Sequence, residues 1–213
     1  MSEARERRIA EIVGAVARQA LADRGASRIA LLDDGGPEAE LAARLLAAAL
    51  GTDRVVRVTA GAGEVESVLH LSPGVGTKRA GDEARRLRAR LTADAVPAHP
   101  GNKTALLLGG ELPPEPLLPL ADLWACEVAQ LGRGWSAPGA VRRIAELAGG
   151  IEALDAALRA WAEGRDAGAI ERLLPTEGAD AVRRALAAGR ASRLHPRTVP
   201  KIGTRTLGVD LFE

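Results

Sequence analysis

Two glycines followed by a carboxylate open the case for chemistry. In DDGGPEA, residues 33–39, Gly35 and Gly36 separate an apolar run, RIALLD (28–33), from an alanine- and leucine-rich run that begins at Pro37. A strand that turns into a helix through glycines can bind an anion. The helix N-terminus offers unpaired N–H groups and the positive end of its dipole, and glycine lets the backbone approach a phosphate. Glu38 stands in the first turn, where a carboxylate could hold magnesium. Asp33 and Asp34 oppose that use, because like charges at close range cost roughly 4 kcal/mol at an effective dielectric near 20. No Ser or Thr lies between residues 28 and 51, and Pro37 removes one N–H from the helix start. A turn in which Asp33 and Asp34 cap the helix also accounts for the loop, without a ligand.

A second polar group lies at GNKTALLLG, residues 101–109, with Gly101, Asn102, Lys103 and Thr104 in sequence. Lys103 could neutralise a phosphate; a solvated loop lysine has the same sequence signature. His195 and Arg197, in RLHPRTVP (193–200), could hold an anionic ligand, and an ordered tail would read the same way. Asp122 reads as the cap of a helix over 123–132. Cys126 reads as a buried, inert thiol, and Trp124, Trp135 and Trp161 as packing residues. Arg85, Arg86, Arg88 and Arg90 form a basic helix face that could meet phosphates, though solvation suffices for it.

These groups need elements to position them. Residues 3–24 carry Ile9, Ile12, Val13, Val16 and Ala17 at helical spacing. RIALLD suits a buried parallel strand. PEAELAARLLAAAL (37–50) reads as a helix with proline in its first turn and Gly51 beyond its end. RVVRVTA (54–60) is a second strand. This strand–helix–strand order predicts an α/β fold with a parallel sheet. AVPA (95–98) is a short strand, LADLWACEVAQLG (120–132) a helix, and helical patterns follow over 138–148, 151–163, 168–174 and 178–189. One domain over residues 1–213 accounts for the whole pattern.

Composition narrows the function. Lys plus Arg number 29 and Asp plus Glu 28, a balance that gives no electrostatic case for nucleic acid or a membrane surface. Aromatic residues make up 2%, too few for base-stacking platforms. A single cysteine excludes an internal disulfide and a cysteine metal site. The charged, amphipathic N-terminus is not a signal peptide, so the expected location is the cytoplasm.

GNKTALLLG and LPLADLWACEV (118–128) together resemble the ammonia-dependent NAD synthetase family of the PP-loop superfamily. That family has Gly-Asn-Lys-Ser/Thr-Glu-Leu-Leu-Leu-Gly, then Asn-Pro-Leu-Gly-Asp-Leu-Tyr-Lys-Thr-Glu-Val. Its Ser-Gly-Gly-x-Asp-Ser loop ends the first strand, where DGGPEA (34–39) stands here. RLHPRTVP is similar to its C-terminal His-Lys-Arg-x-x-Pro. The resemblance implies a doubly wound parallel sheet with helices on both faces, Rossmann-like, and a helical C-terminal third. It also implies a homodimer that uses ATP and magnesium to adenylate deamido-NAD, after which ammonia displaces AMP. It carries binding roles onto Gly35, Gly36, Glu38, Gly101, Asn102, Lys103 and Thr104, a metal role onto Glu38, and substrate contacts onto His195 and Arg197.

The departures fall on the chemistry. Asp34 and Ala39 replace the loop's two serines, Glu38 its Asp, and Ala105 the Glu after the Lys-Thr pair. Adenylation needs donors and metal to offset its charge, and losing one typically costs on the order of a hundredfold to a thousandfold in rate. The expectation is therefore an impaired, nucleotide-binding or regulatory homodimer. An active ligase using Glu38, Glu111 and Glu115 is the alternative, and a structural interaction protein without a ligand is the third.

Overall fold

A six-residue strand with an apolar centre sets the frame. In the computed structural model, β1 (Arg28–Asp33) is buried from its second residue to its last, as a strand covered on both faces must be. β2 (Val55–Thr59) lies parallel to it on one side, with Ile29 opposite Val55 and Asp33 opposite Thr59. β3 (Ala95–Ala98) lies parallel on the other side, with Arg28 opposite Ala95 and Leu31 opposite Ala98. The strand order is β2-β1-β3. Beyond β3, Leu117 makes an isolated parallel bridge with Ala98.

The structure describes residues 3–33, 35–59, 94–108, 117–132, 134–135, 139–162 and 168–189. The expectations for Asp34, the basic face at Arg85–Arg90, Glu111, Glu115, His195 and Arg197 lie outside the described residues.

Helix α1 (Glu3–Arg24) precedes β1, and α2 (Pro37–Leu50) follows it. Ile9, Val13, Ala17 and Leu21 of α1 form one core with Ile29 and Leu31 of β1 and with Leu41, Leu45 and Leu46 of α2. The two helices touch at Gly14. A Cβ there would lie 2.3 Å from the Cβ of Ala49, so any larger residue drives them apart. Gly14→Ala is expected to destabilise the protein by a net of about 1 to 2 kcal/mol, overpacking outweighing the gain in helix propensity. The double variant Gly14→Ala/Ala49→Gly should recover most of the loss in urea denaturation.

The remaining described α-helices are α3 (Lys103–Leu108), α4 (Ala125–Gly132), α5 (Gly139–Leu147), α6 (Ile151–Ala162), α7 (Ala169–Leu173) and α8 (Thr176–Gly189). Leu107 and Leu108 of α3 join Trp124 and the apolar faces of α5 to α8 in a second core, with Trp135 and Trp161 packed against it. The molecule is thus a helix-rich α/β protein with a three-stranded parallel sheet among the described residues. No described helix is long and apolar enough to cross a membrane.

Helix α4 starts at Ala125, not within 120–123 as its apolar pattern suggests. Residues 118–123 form tight turns instead, with Ala121 N–H donating to the Leu118 carbonyl (3.2 Å) and Leu123 N–H to the Leu120 carbonyl (2.9 Å). The Leu123 carbonyl then accepts the Lys103 N–H at 2.8 Å, which ties the turn to α3.

Candidate functional site

Consecutive strands β1 and β2 lie side by side, and β3 lies on the far side of β1. The strand order therefore reverses between β1 and β3. In open parallel sheets the ligand crevice opens at such a reversal, beyond the carboxyl ends of the strands. The loops leaving those two ends carry DDGGPEA and GNKT.

Asp33 ends β1 with its carboxylate turned onto the loop. One oxygen accepts the Gly35 N–H at 2.9 Å and the other accepts Arg57 Nε at 2.7 Å. Arg57 sits two residues before the position opposite Asp33, so the strand alternation places both side chains on one face. Its Nη1 also donates to Glu40 Oε2 at 2.7 Å. The Arg57 guanidinium beside Asp33 holds its carboxyl below the usual carboxylate range, against burial, and the Gly35 N–H adds to the effect. Asp33 does not cap α2. The N-cap is Gly36, in extended conformation and without a side-chain cap.

Glu38 lies in the first turn of α2 and is buried. Asn102 Nδ2 reaches its Oε1 at 3.4 Å, which joins the two loops across the crevice. The other end of the Asn102 amide, Oδ1, accepts the Ala105 N–H at 3.0 Å and so caps α3. Gly101 N–H donates to His99 Nδ1 at 3.0 Å and shapes the turn between strand and helix.

Lys103 and Thr104 face inward. The Lys103 ammonium bonds Asp122 at 3.1 Å and lies 5.3 Å from the centroid of the Trp124 ring, with its side chain 8% exposed. It is thus a buried, ion-paired lysine and not a solvated loop lysine. Asp122 correspondingly is not the cap of α4. That helix is capped from elsewhere: Glu127 accepts the Trp124 N–H (3.0 Å), Thr104 Oγ1 the Ala125 N–H (3.0 Å) and Asp155 the Cys126 N–H (2.7 Å). The Thr104 hydroxyl donates in turn to Asp155 Oδ1 at 2.6 Å.

Burial pushes the Asp155 carboxyl above its ordinary value, although Thr104 and the Cys126 N–H pull the other way. Burial also pushes the Cys126 thiol up to about 12, with Asp155 adding to the shift, so it is the inert thiol its setting suggests.

The structure thus places Gly35, Gly36, Glu38, Gly101 and Asn102 on the loops that follow β1 and β3, with Glu38 and Asn102 in contact, and it engages Lys103 with Asp122 and Thr104 with Asp155. Glu38 offers magnesium a single carboxylate with an amide N–H aimed at it. No group of three or more His, Cys, Asp or Glu side chains that could hold a metal gathers among the described residues. The fit to a magnesium site that prefers near-octahedral oxygen ligands is poor.

Arg57 and Asp155 escaped the sequence reading. Each left a signal. Arg57 interrupts an apolar strand, VVRVT. Asp155 falls on the apolar stripe of α6, four residues after Ile151 and three before Leu158.

The reversal point of this parallel sheet is flanked by a glycine turn and a capped helix start, within a helix-rich α/β fold. No family model matches the chain, and no curated protein matches it. Among solved structures it is similar to an NH3-dependent NAD synthetase from Campylobacter jejuni subsp. jejuni NCTC 11168, solved in complex with the nitrate ion. The TM-score is 0.58 and the identity 17%, covering 92% of this chain and 99% of that one. At this identity the likeness establishes a shared fold.

Proposed function

We propose that this protein is an NAD synthetase-like, nucleotide-binding homodimer with impaired ligase chemistry and a regulatory role in the cytoplasm. In this reading residues 1–213 form one doubly wound domain with helices on both faces and a helical C-terminal third. His195 and Arg197 would contact an anionic substrate. One observation carries the impairment: the Gly35 N–H, the donor a loop phosphate needs, is already bonded to Asp33 at 2.9 Å. Ala105 in place of the family's Glu, and the diversion of Lys103 and Thr104, support it.

The second reading is a working ligase that uses ATP and magnesium to amidate deamido-NAD. It is favoured by the extent of the fold likeness and by Glu38, which still meets Asn102 at the crevice.

An amidation assay with deamido-NAD, ATP, magnesium and ammonia separates them, run beside thermal melts with each nucleotide. A ligand at about a hundred times its Kd should add roughly 2.7 kcal/mol of stability. The expected result is a melting shift with deamido-NAD or NAD and turnover at least about a thousandfold below an ordinary kcat of roughly 10 per second. Ordinary turnover would refute impairment. Glu38→Ala should then abolish that turnover; under the impaired reading it alters only magnesium-dependent binding.

A further inference from the structure

We propose that Asp33 is a built-in anion that keeps the glycine turn shut. Arg57 is its latch, and an oxyanion of the phosphate class enters only by displacing the carboxylate. The inference deepens the reading of this turn as a nucleotide site and rests on it.

The geometry is that of an occupied anion cradle. Gly35 is held at φ +77°, a conformation glycine adopts without strain, and its N–H is aimed at the Asp33 carboxylate. The second carboxylate oxygen is fixed by Arg57 Nε at 2.7 Å. Arg57 cannot swing away freely, because Nη1 is bonded to Glu40 Oε2 at the same distance. Asp33 is 7% exposed, so its carboxylate is enclosed by the turn and not displayed to water. One guanidinium facing two carboxylates leaves this trio with one net negative charge, which resists an incoming anion. Neutralising Asp33 brings the trio to zero charge; alanine also removes the resident acceptor, and asparagine leaves only a weaker, uncharged one. The Arg57 side chain is 41% exposed, so an anion can reach the latch from solvent.

The contact with the turn is also local. Asp33 reaches only two residues forward to Gly35, so displacing it needs a side-chain rotation and no movement of β1. A ligand that binds Gly35 and Arg57 together offers more charge than the carboxylate it replaces. Affinity for such a ligand is lowered by the fraction of time the latch is closed.

The test uses inorganic pyrophosphate as the probe, with calorimetric titration of the full chain, wild type beside Asp33→Ala and Asp33→Asn. Asn keeps the side-chain volume and serves if the alanine variant does not fold. Asp23→Asn, an exposed acid on α1, controls for net charge. Either Asp33 variant should bind pyrophosphate at least tenfold more tightly than wild type, with Asp23→Asn unchanged. Equal affinity in wild type and folded variants would overturn the latch, as would an equal gain in Asp23→Asn. Should the variants gain nothing while deamido-NAD still shifts the melt, the latch fails and the nucleotide reading stands. Should they gain while wild type turns over at an ordinary rate, the latch stands and the impairment fails.

Discussion

Asp155→Ala is expected to cost about 3 to 5 kcal/mol of stability, the largest loss foreseen for a single polar residue here. Asp155 is 1% exposed and accepts two hydrogen bonds, from Thr104 and from the Cys126 N–H. Alanine strands both donors in a buried setting, at about 1 to 3 kcal/mol each. Asp155→Asn keeps the shape and one acceptor and should cost about 1 to 2 kcal/mol. The pH dependence distinguishes the role of charge. Burial raises the Asp155 pKa in the folded state, so its contribution is fully present below the unfolded value and is lost as pH rises through the folded value. The stability gap between wild type and Asp155→Asn should therefore narrow from acid toward neutral pH. Urea denaturation of both proteins across that range checks it. A gap that widens would mean that the ionised carboxylate is the stabilising form.

The parts of the fold that follow from local pattern were legible. RIALLD is apolar from Ile29 to Leu32 because a central parallel strand is covered on both faces, and PEAELAARLLAAAL carries its own start and stop in Pro37 and Gly51. Their order alone implied the parallel sheet. For the candidate site, only position was legible: the glycines and Asn102 stand on loops that follow strand ends, where loop geometry selects them. What stayed hidden depends on contacts between distant segments. Asp33 reads as a repulsive charge until Arg57, on the neighbouring strand, is known to face it. Thr104 reads as a ligand hydroxyl until Asp155, far along the chain, is found beneath it. The start of α4 was misplaced for a related reason. The apolar residues Leu118, Leu120 and Leu123 are all buried, but by turns that fold inward and not by one helical face. Burial periodicity cannot separate the two when the helix caps come from Thr104 and Asp155 on other elements.

Lys103 offers the sharpest contrast between a residue kept for a ligand and one kept for the fold. A phosphate lysine would wait in the crevice, and replacing it would weaken nucleotide binding with little effect on stability. Here the ammonium is bonded to Asp122 and lies by the Trp124 ring. Lys103→Met keeps the apolar stem but removes the ammonium bonded to the Asp122 carboxylate. The Asp122 side chain is 19% exposed, between the surface pairs that contribute under about 1 kcal/mol and the buried ones whose disruption costs about 3 to 5. The expected loss is about 2 to 3 kcal/mol, part of it the cation–π contact with Trp124. A double-mutant cycle with Asp122→Asn should return a coupling of about 1 kcal/mol or more, because the two side chains touch. Urea unfolding of the four proteins measures it. A stable Lys103→Met protein with no coupling to Asp122, but with weakened nucleotide binding, would return this lysine to the ligand and strengthen the case for an active ligase. A destabilised one makes Lys103 a strut between α3 and the turn before α4.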